Sequence, residues 1–277
     1  MSCPKGRVGS IPTPRTKICP LLSYNKHMQI VVDDLLTSYE LQGKGKLVLL
    51  LHGWGDSAKG LKDLAGQLAK QHQVVALDLP GFGATQAPKE VWNLDNYGQF
   101  VAAFLAKLEL GQPYAVVGHS NGGALAVRAI ALQALEPQKL VLLAASGVRT
   151  GSKVKRAVLK VLAKTGSVAT LWMPERYRQG LRKSLYGVAG SDMLVAPQLQ
   201  ETFKKTVRQD VQRSAATITV PTLLIYAADD KAVPVSDGQI YHKLIKNSRL
   251  EIIADSEHFV HLDQPEKVFA LIKEFLA

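Results

Sequence analysis

Cysteine is nearly missing from this chain: Cys3 and Cys19 are the only two in 277 residues. Two cysteines make no disulfide framework, and no C-x-x-C links them, so free thiols in a reducing cytoplasm are expected. Long apolar runs are missing too, and none approaches the ~20 residues that span a bilayer. The opening stretch MSCPKGRVGSIPTPRTKICP holds basic residues without the continuous apolar segment of a secretory signal. Its Pro, Gly, Ser and Thr content marks residues 1–20 as a mobile tail. There is no H-E-x-x-H, no G-x-x-x-x-G-K-[ST] and no complete G-x-G-x-x-G; Gly81-Phe82-Gly83 lacks the third glycine. No metal and no nucleotide cofactor is therefore expected.

Acidic residues are short relative to basic ones, 23 against 34, for a net charge of +11. The imbalance is local. Residues 149–213 hold fourteen Lys and Arg against four acids, Glu175, Asp192, Glu201 and Asp210. A charge excess confined to one segment marks separate architecture rather than a nucleic-acid surface, and no recognition module for nucleic acid accompanies it. Within it, Lys153, Arg156, Lys160 and Lys164 fall at helical spacing beside an apolar face of Val154, Val158, Val161 and Leu162. That stripe is either a solvated helix face or a guide for anionic substrates or an acidic membrane surface.

Short branched apolar runs alternate with helical patterns along the rest of the chain. Strands are expected at 28–32, 36–41, 46–53, 74–78, 114–118, 140–145, 222–227 and 250–254. Helices are expected at 94–110, at 236–245, at 265–276, after the strand at 46–53 and after Ser120. This alternation predicts an α/β fold with a mostly parallel central sheet flanked by helices. The segment 149–213 interrupts the alternation with helical patterns and no buried strand. It reads as an inserted helical cap, with 21–148 and 214–277 as the core. Open parallel sheets bind ligands beyond the carboxyl ends of their strands, where such an insertion would roof the site.

The stretch VVGHSNGG carries the chemistry. Gly118-His119-Ser120-Asn121-Gly122 fits G-x-S-x-G, a five-letter match that chance supplies in roughly one chain in ten of this length. Its context is what weighs: a buried strand precedes Ser120 and a helix follows it, as a strained nucleophile turn requires. A serine hydroxyl needs a base, and the base needs an orienting acid. His258, in DSEHFVHLDQPE, lies between the last strand and the last helix, with His261 as its rival. His119 should point away from its neighbour, His52 reads as structural, and His27, His72 and His242 read as surface positions. Asp229 and Asp230 directly follow the strand TLLIYA. The order Ser, Asp, His is thus available, each at a strand's carboxyl end. Oxyanion donors are expected from the backbone N–H groups of Trp54, in LHGWG, and Asn121.

LHGWG, ALDLPGFGAT, VVGHSNGG, PTLLIYAADDKAVP and EHFVHLDQPE resemble, in order, the segments of α/β-hydrolase-fold proteins with a helical cap, over residues 25–277. By that resemblance Asp230 matches the family acid better than Asp229, and His258 matches the family histidine. Serine at position 120 argues against the dehalogenases and epoxide hydrolases of the same fold. Ala227 stands where many relatives have glycine, a small change. The resemblance implies a hydrolase of carboxylic esters, or related acyl substrates, through an acyl-enzyme on Ser120. The alternatives are carbon–carbon bond hydrolysis of a diketone-like substrate, with Arg176, Arg178 or Arg182 holding a carboxylate, and a slow-turnover binding or signalling protein. The expected partner is a small molecule, including anionic esters, and peripheral membrane contact through the basic segment stays open. Fold alone does not choose the substrate.

Overall fold

The computed structural model describes residues 26–149 and 199–277. The tail with its two cysteines, the basic stripe at 153–164 and Arg176, Arg178 and Arg182 lie outside the described residues.

Among the described residues eight strands form one sheet. They are β1 (Lys26–Val32), β2 (Leu35–Gly43), β3 (Leu47–Leu51), β4 (Gln73–Leu77), β5 (Ala115–His119), β6 (Lys139–Leu143), β7 (Thr222–Ala227) and β8 (Ser248–Ile253). Their order is β1-β2-β4-β3-β5-β6-β7-β8. β2 runs antiparallel to both β1 and β4, and every other pairing is parallel. The sheet is the one the alternating apolar runs predict. A two-residue turn joins β1 to β2, with Asp33 and Asp34 both at positive φ (45° and 61°). Two central residues in that region give the twist that suits a tight hairpin.

The helices follow as α1 (Lys62–Leu68), α2 (Leu94–Lys107), α3 (Asn121–Ala131), α4 (Gln200–Arg208), α5 (Gln212–Ala215), α6 (Val235–Leu244), α7 (Val260–Asp263) and α8 (Pro265–Leu276). Because successive strand residues point to opposite faces, each central strand feeds two cores. Leu49, Leu51, Val116, Leu142 and Tyr226 pack with α2 and α3, whereas Val48, Leu50, Val117, Leu143 and Ile225 pack with α1 and α8. All five residues of β3 and of β5 are buried. Truncating a leucine in such a strand costs about 2–5 kcal/mol, so the strand ends form a rigid platform.

Helix boundaries depart from the apolar pattern where the backbone turns. α2 starts at a capping box: the Asn93 side chain accepts from the Asn96 N–H, and the Asn96 side chain accepts from the Asn93 N–H, both at 3.0 Å. It ends at Lys107 rather than 110, because Glu109 (φ 54°) and Gly111 (φ 69°) leave the helical region.

From β3 the chain winds to β4 on one side, then returns through α2 to β5 on the other. The winding reverses at β3, which opens a crevice beyond the carboxyl ends of β3 and β5. Helix α4, near the end of the 149–213 segment, and α5, which straddles its boundary, pack beside it. The Trp92 N–H donates to Thr202 Oγ1 (3.1 Å) and the Leu94 N–H to Gln209 Oε1 (2.7 Å). Arg128 on α3 grips Asp95 on α2 through two hydrogen bonds (2.7 and 2.9 Å) and reaches Ser214 on α5 at 3.2 Å. No helix among the described residues is long and apolar enough to cross a membrane.

Candidate active site

The end of β5 sets the site. Ser120 adopts φ 50°, ψ −116°, a strained backbone for a side chain with a Cβ. Its neighbours leave the turn little room. A Cβ on Gly118 would lie 2.6 Å from the Gly122 carbonyl oxygen, and one on Gly122 would lie 2.2 Å from that of Leu51. Only glycine fits at either position. The turn is pinned from both sides, since the Ser120 N–H donates to the Leu143 carbonyl (2.9 Å) and the Ser120 carbonyl accepts from the N–H groups of Gly123 and Ser146 (both 3.0 Å).

From this turn Ser120 Oγ lies 2.9 Å from His258 Nε2, and His258 Nδ1 lies 2.7 Å from Asp230 Oδ2. Asp230 stands just beyond β7, and His258 lies between β8 and α7. The other oxygen of Asp230 accepts from the N–H groups of Ala232 (2.7 Å) and Val233 (2.8 Å). With its other oxygen engaged by two backbone donors, the carboxylate accepts a hydrogen bond from His258 Nδ1–H, which keeps the proton on Nδ1 and leaves Nε2 to accept from the serine hydroxyl. The Asp230 side chain is fully buried, and that of His258 is 21% exposed. Asp229 points outward, and its backbone N–H donates to the Ser256 carbonyl (3.1 Å).

Trp54 lies three residues beyond β3. A Cβ on Gly53 would sit 3.2 Å from Ser120 Cβ, so the backbone entering Trp54 passes directly over the serine. The Trp54 indole is held between the rings of Phe82 (centroids 4.8 Å apart) and Phe203 on α4 (5.0 Å). Asn121 opens α3, where the first N–H groups of a helix have no acceptor inside it and favour negative charge.

The remaining histidines separate by what they touch. His52 is buried; its Nε2 accepts from the Leu79 N–H (2.9 Å) and its Nδ1 donates to the Gly53 carbonyl (2.7 Å), which ties the β3 loop to the β4 loop. Burial lowers its pKa from the ordinary 6.5. His119 turns away from Ser120 and donates from Nε2 to the His258 carbonyl at 3.0 Å. Burial, then the nearby rings of His261 and His258, hold its pKa well below 6.5. His261 is buried with its ring edge-on to His119, and burial lowers its pKa as well. His27 and His242 are exposed, whereas His72 is half-buried and stacked on Tyr114. That stack covers part of the His72 ring at the surface, a contact with no local signature in the sequence.

Asp78 was not singled out by its sequence pattern. Its two oxygens accept from the Ala58 N–H (2.8 Å) and the Ala84 N–H (2.9 Å), which fixes both loops that border Trp54. The available signal was an acid at the end of a buried strand, directly before Leu-Pro-Gly-Phe-Gly. Among the described residues no group of three or more His, Cys, Asp or Glu is placed to hold a metal ion.

Comparison with known proteins agrees with this architecture. The profile of the alpha/beta hydrolase family matches residues 48–271. The AB hydrolase superfamily protein YisY of Bacillus subtilis is 25% identical over 270 residues, covering 90% of this chain and 96% of its own. The 2-hydroxy-6-oxo-2,4-heptadienoate hydrolase of Pseudomonas putida is 25% identical over 275 residues, covering 90% and 95%. Among solved structures, a lipase-like protein (lip1) of Acinetobacter baumannii superposes with a TM-score of 0.73 at 22% identity, over 91% of this chain and 90% of that one. At that identity the superposition speaks for the fold. With the profile spanning most of the chain and the sheet and serine turn as described, the chain belongs to the alpha/beta hydrolase family.

Proposed function

We propose that the protein is a serine hydrolase that cleaves carboxylic esters, or related acyl substrates, through an acyl-enzyme on Ser120. His258 is its general base and Asp230 orients that base. The observation that carries this reading is the unbroken chain of two short contacts from Asp230 through His258 to Ser120. In the first step Ser120 Oγ attacks the acyl carbon as its proton passes to His258 Nε2. The developing oxyanion lies against the Trp54 and Asn121 N–H groups, a preorganised contact of the kind worth about 3–4 kcal/mol per donor. The imidazolium gives its proton to the leaving alcohol. Water then attacks the acyl carbon as its proton passes to His258, and the imidazolium returns that proton to Ser120 Oγ as the acid leaves. Residues 149–213 form, in this reading, the cap that roofs the crevice and selects the substrate, and the enzyme works in the cytoplasm.

A second reading, carbon–carbon bond hydrolysis of a diketone-like substrate, uses the same three residues. The similarity to the P. putida hydrolase across 90% of the chain favours keeping it. One assay separates the two: turnover of p-nitrophenyl acetate and of a vinylogous diketone by the parent and by Ser120→Ala. The ester reading expects turnover of the acetate, abolished in the folded variant. Cleavage of the diketone alone would replace it with the second reading. Undiminished acetate turnover by Ser120→Ala would end both.

A further inference from the structure

His119 and His258 are 139 residues apart in sequence, yet a single hydrogen bond joins them: His119 Nε2–H donates to the His258 carbonyl at 3.0 Å. His119 ends β5 and directly precedes Ser120, so this bond fastens the serine's strand to the loop that carries the base. Through the sheet, the path between the two runs across β6, β7 and β8, so this backbone-anchored bond is a short cut beside the Ser120–His258 contact itself. The loop at 254–259 has few other ties facing the serine. The Glu257 N–H donates to Asp263 Oδ2 (2.7 Å) and Ser256 Oγ donates to the Ile253 carbonyl (2.8 Å) within the same stretch of chain, while the Asp229 N–H on the Ser256 carbonyl (3.1 Å) and Asp230 on His258 Nδ1 (2.7 Å) tie the loop to the end of β7 rather than to β5.

We propose that His119 is a positioning residue: its Nε2–H, held on the backbone carbonyl of His258, sets the distance between the base and Ser120 Oγ. The inference rests on the Ser120–His258–Asp230 reading. Three further observations support it. The His119 ring packs against His258 (centroids 5.0 Å), Phe259 (5.2 Å) and His261 (4.8 Å), so its orientation is fixed on three sides. It is 1% exposed, and its Nδ1 has no hydrogen-bond partner among the described residues, which leaves Nε2 as its working atom. Its surroundings keep it neutral, so the tautomer that donates from Nε2 persists and no second cation stands beside the imidazolium formed on His258. An imidazole can serve both ends of this contact, because it fills the space among three rings and still presents a donor.

A Gln side chain places its amide nitrogen close to the Nε2 position, whereas Phe keeps the ring and loses the donor. The test is kcat and KM for p-nitrophenyl acetate in the parent, His119→Gln and His119→Phe, with the rate of Ser120 labelling by a fluorophosphonate. A misplaced base slows the chemical step without altering substrate contacts. His119→Phe should therefore lose about tenfold to a hundredfold in kcat at a KM within about twofold of the parent, and its Ser120 should label correspondingly slowly. His119→Gln should return kcat to within about threefold of the parent. If the Phe variant does not fold, His119→Asn replaces it, since the shorter amide does not span to the carbonyl. Parent-like kcat in the folded Phe or Asn variant overturns the proposal. So does an equal loss in Gln and Phe, which would make His119 a packing residue. A parent whose Ser120 does not label refutes the triad reading and this inference together; a parent that labels, beside a Phe variant that turns over normally, refutes this inference alone.

Discussion

Replacing Asp230 by Asn keeps the shape of the side chain but changes what its outer atoms do. In the parent, one oxygen accepts from the Ala232 and Val233 N–H groups and the other from His258 Nδ1–H. An Asn that keeps its oxygen on the two backbone donors turns its NH2 toward His258. Nδ1 must then accept, the proton moves to Nε2, and the ring can no longer take the serine proton. The flipped amide restores the working tautomer but sets its NH2 against two N–H donors in a side chain with no exposure. Leaving the buried Val233 donor and the part-buried Ala232 donor unmet costs up to about 2–6 kcal/mol, which sets the penalty for reaching the productive state. At 1.36 kcal/mol per decade, kcat falls by between about thirtyfold and about 10⁴-fold. The upper end agrees with the loss known for this change in serine proteases. The assay is kcat on p-nitrophenyl acetate for Asp230→Asn beside Asp229→Asn, with thermal melts to show that both fold. Asp229 is exposed and should cost little. A loss under about tenfold at Asp230, or a larger loss at Asp229, would refute the tautomer argument.

Two further outcomes follow from packing and burial. Gly122→Ala puts a Cβ 2.2 Å from the Leu51 carbonyl and 2.5 Å from that of His52, both backbone atoms that cannot swing away. It should lower stability by at least about 1–3 kcal/mol, read as a drop in the urea midpoint, and an unchanged midpoint would mean the serine turn is looser than described. His52, His119 and His261 all have pKa values lowered from 6.5 by burial, so below 6.5 the unfolded chain binds protons that the folded chain refuses. Their contribution is therefore constant above about pH 6.5; stability declines as pH falls below it and goes on declining down to their folded-state values. Urea titrations at about pH 7.5 and pH 5 test this, and His119→Gln should flatten the slope; equal stability at both pH values would contradict it.

Much of the fold was legible because its strands are buried on both faces. LVLLL, AVVG and TLLIYA read as unbroken apolar runs, and the regular helices between them leave little choice but a parallel sheet. The site was legible wherever a residue's place followed from its own strand: Ser120 after β5, Asp230 after β7 and His258 after β8. Two adjacent acids were harder to separate by pattern. The resemblance favoured Asp230, and geometry distinguishes the pair by burial, with Asp229 outside and Asp230 under the imidazole. Contacts made across the chain had no local signal. The reach of His119 to the His258 carbonyl, the Asp78 side chain on the Ala58 N–H and the Phe203 ring on Trp54 each join segments twenty or more residues apart. Helix ends set by positive φ at Glu109 and Gln133 were equally silent, since neither residue type announces such a turn.

Ser120 must be an activated nucleophile if this chemistry holds, and the most direct test is covalent. Intact mass and peptide mapping after exposure to a fluorophosphonate should show one adduct per chain, on the peptide that carries Ser120. The adduct should be absent from Ser120→Ala and formed far more slowly in His258→Ala, while His261→Ala should label at a rate near the parent's. No adduct on the folded parent, an adduct on another residue, or undiminished labelling without His258 would contradict it.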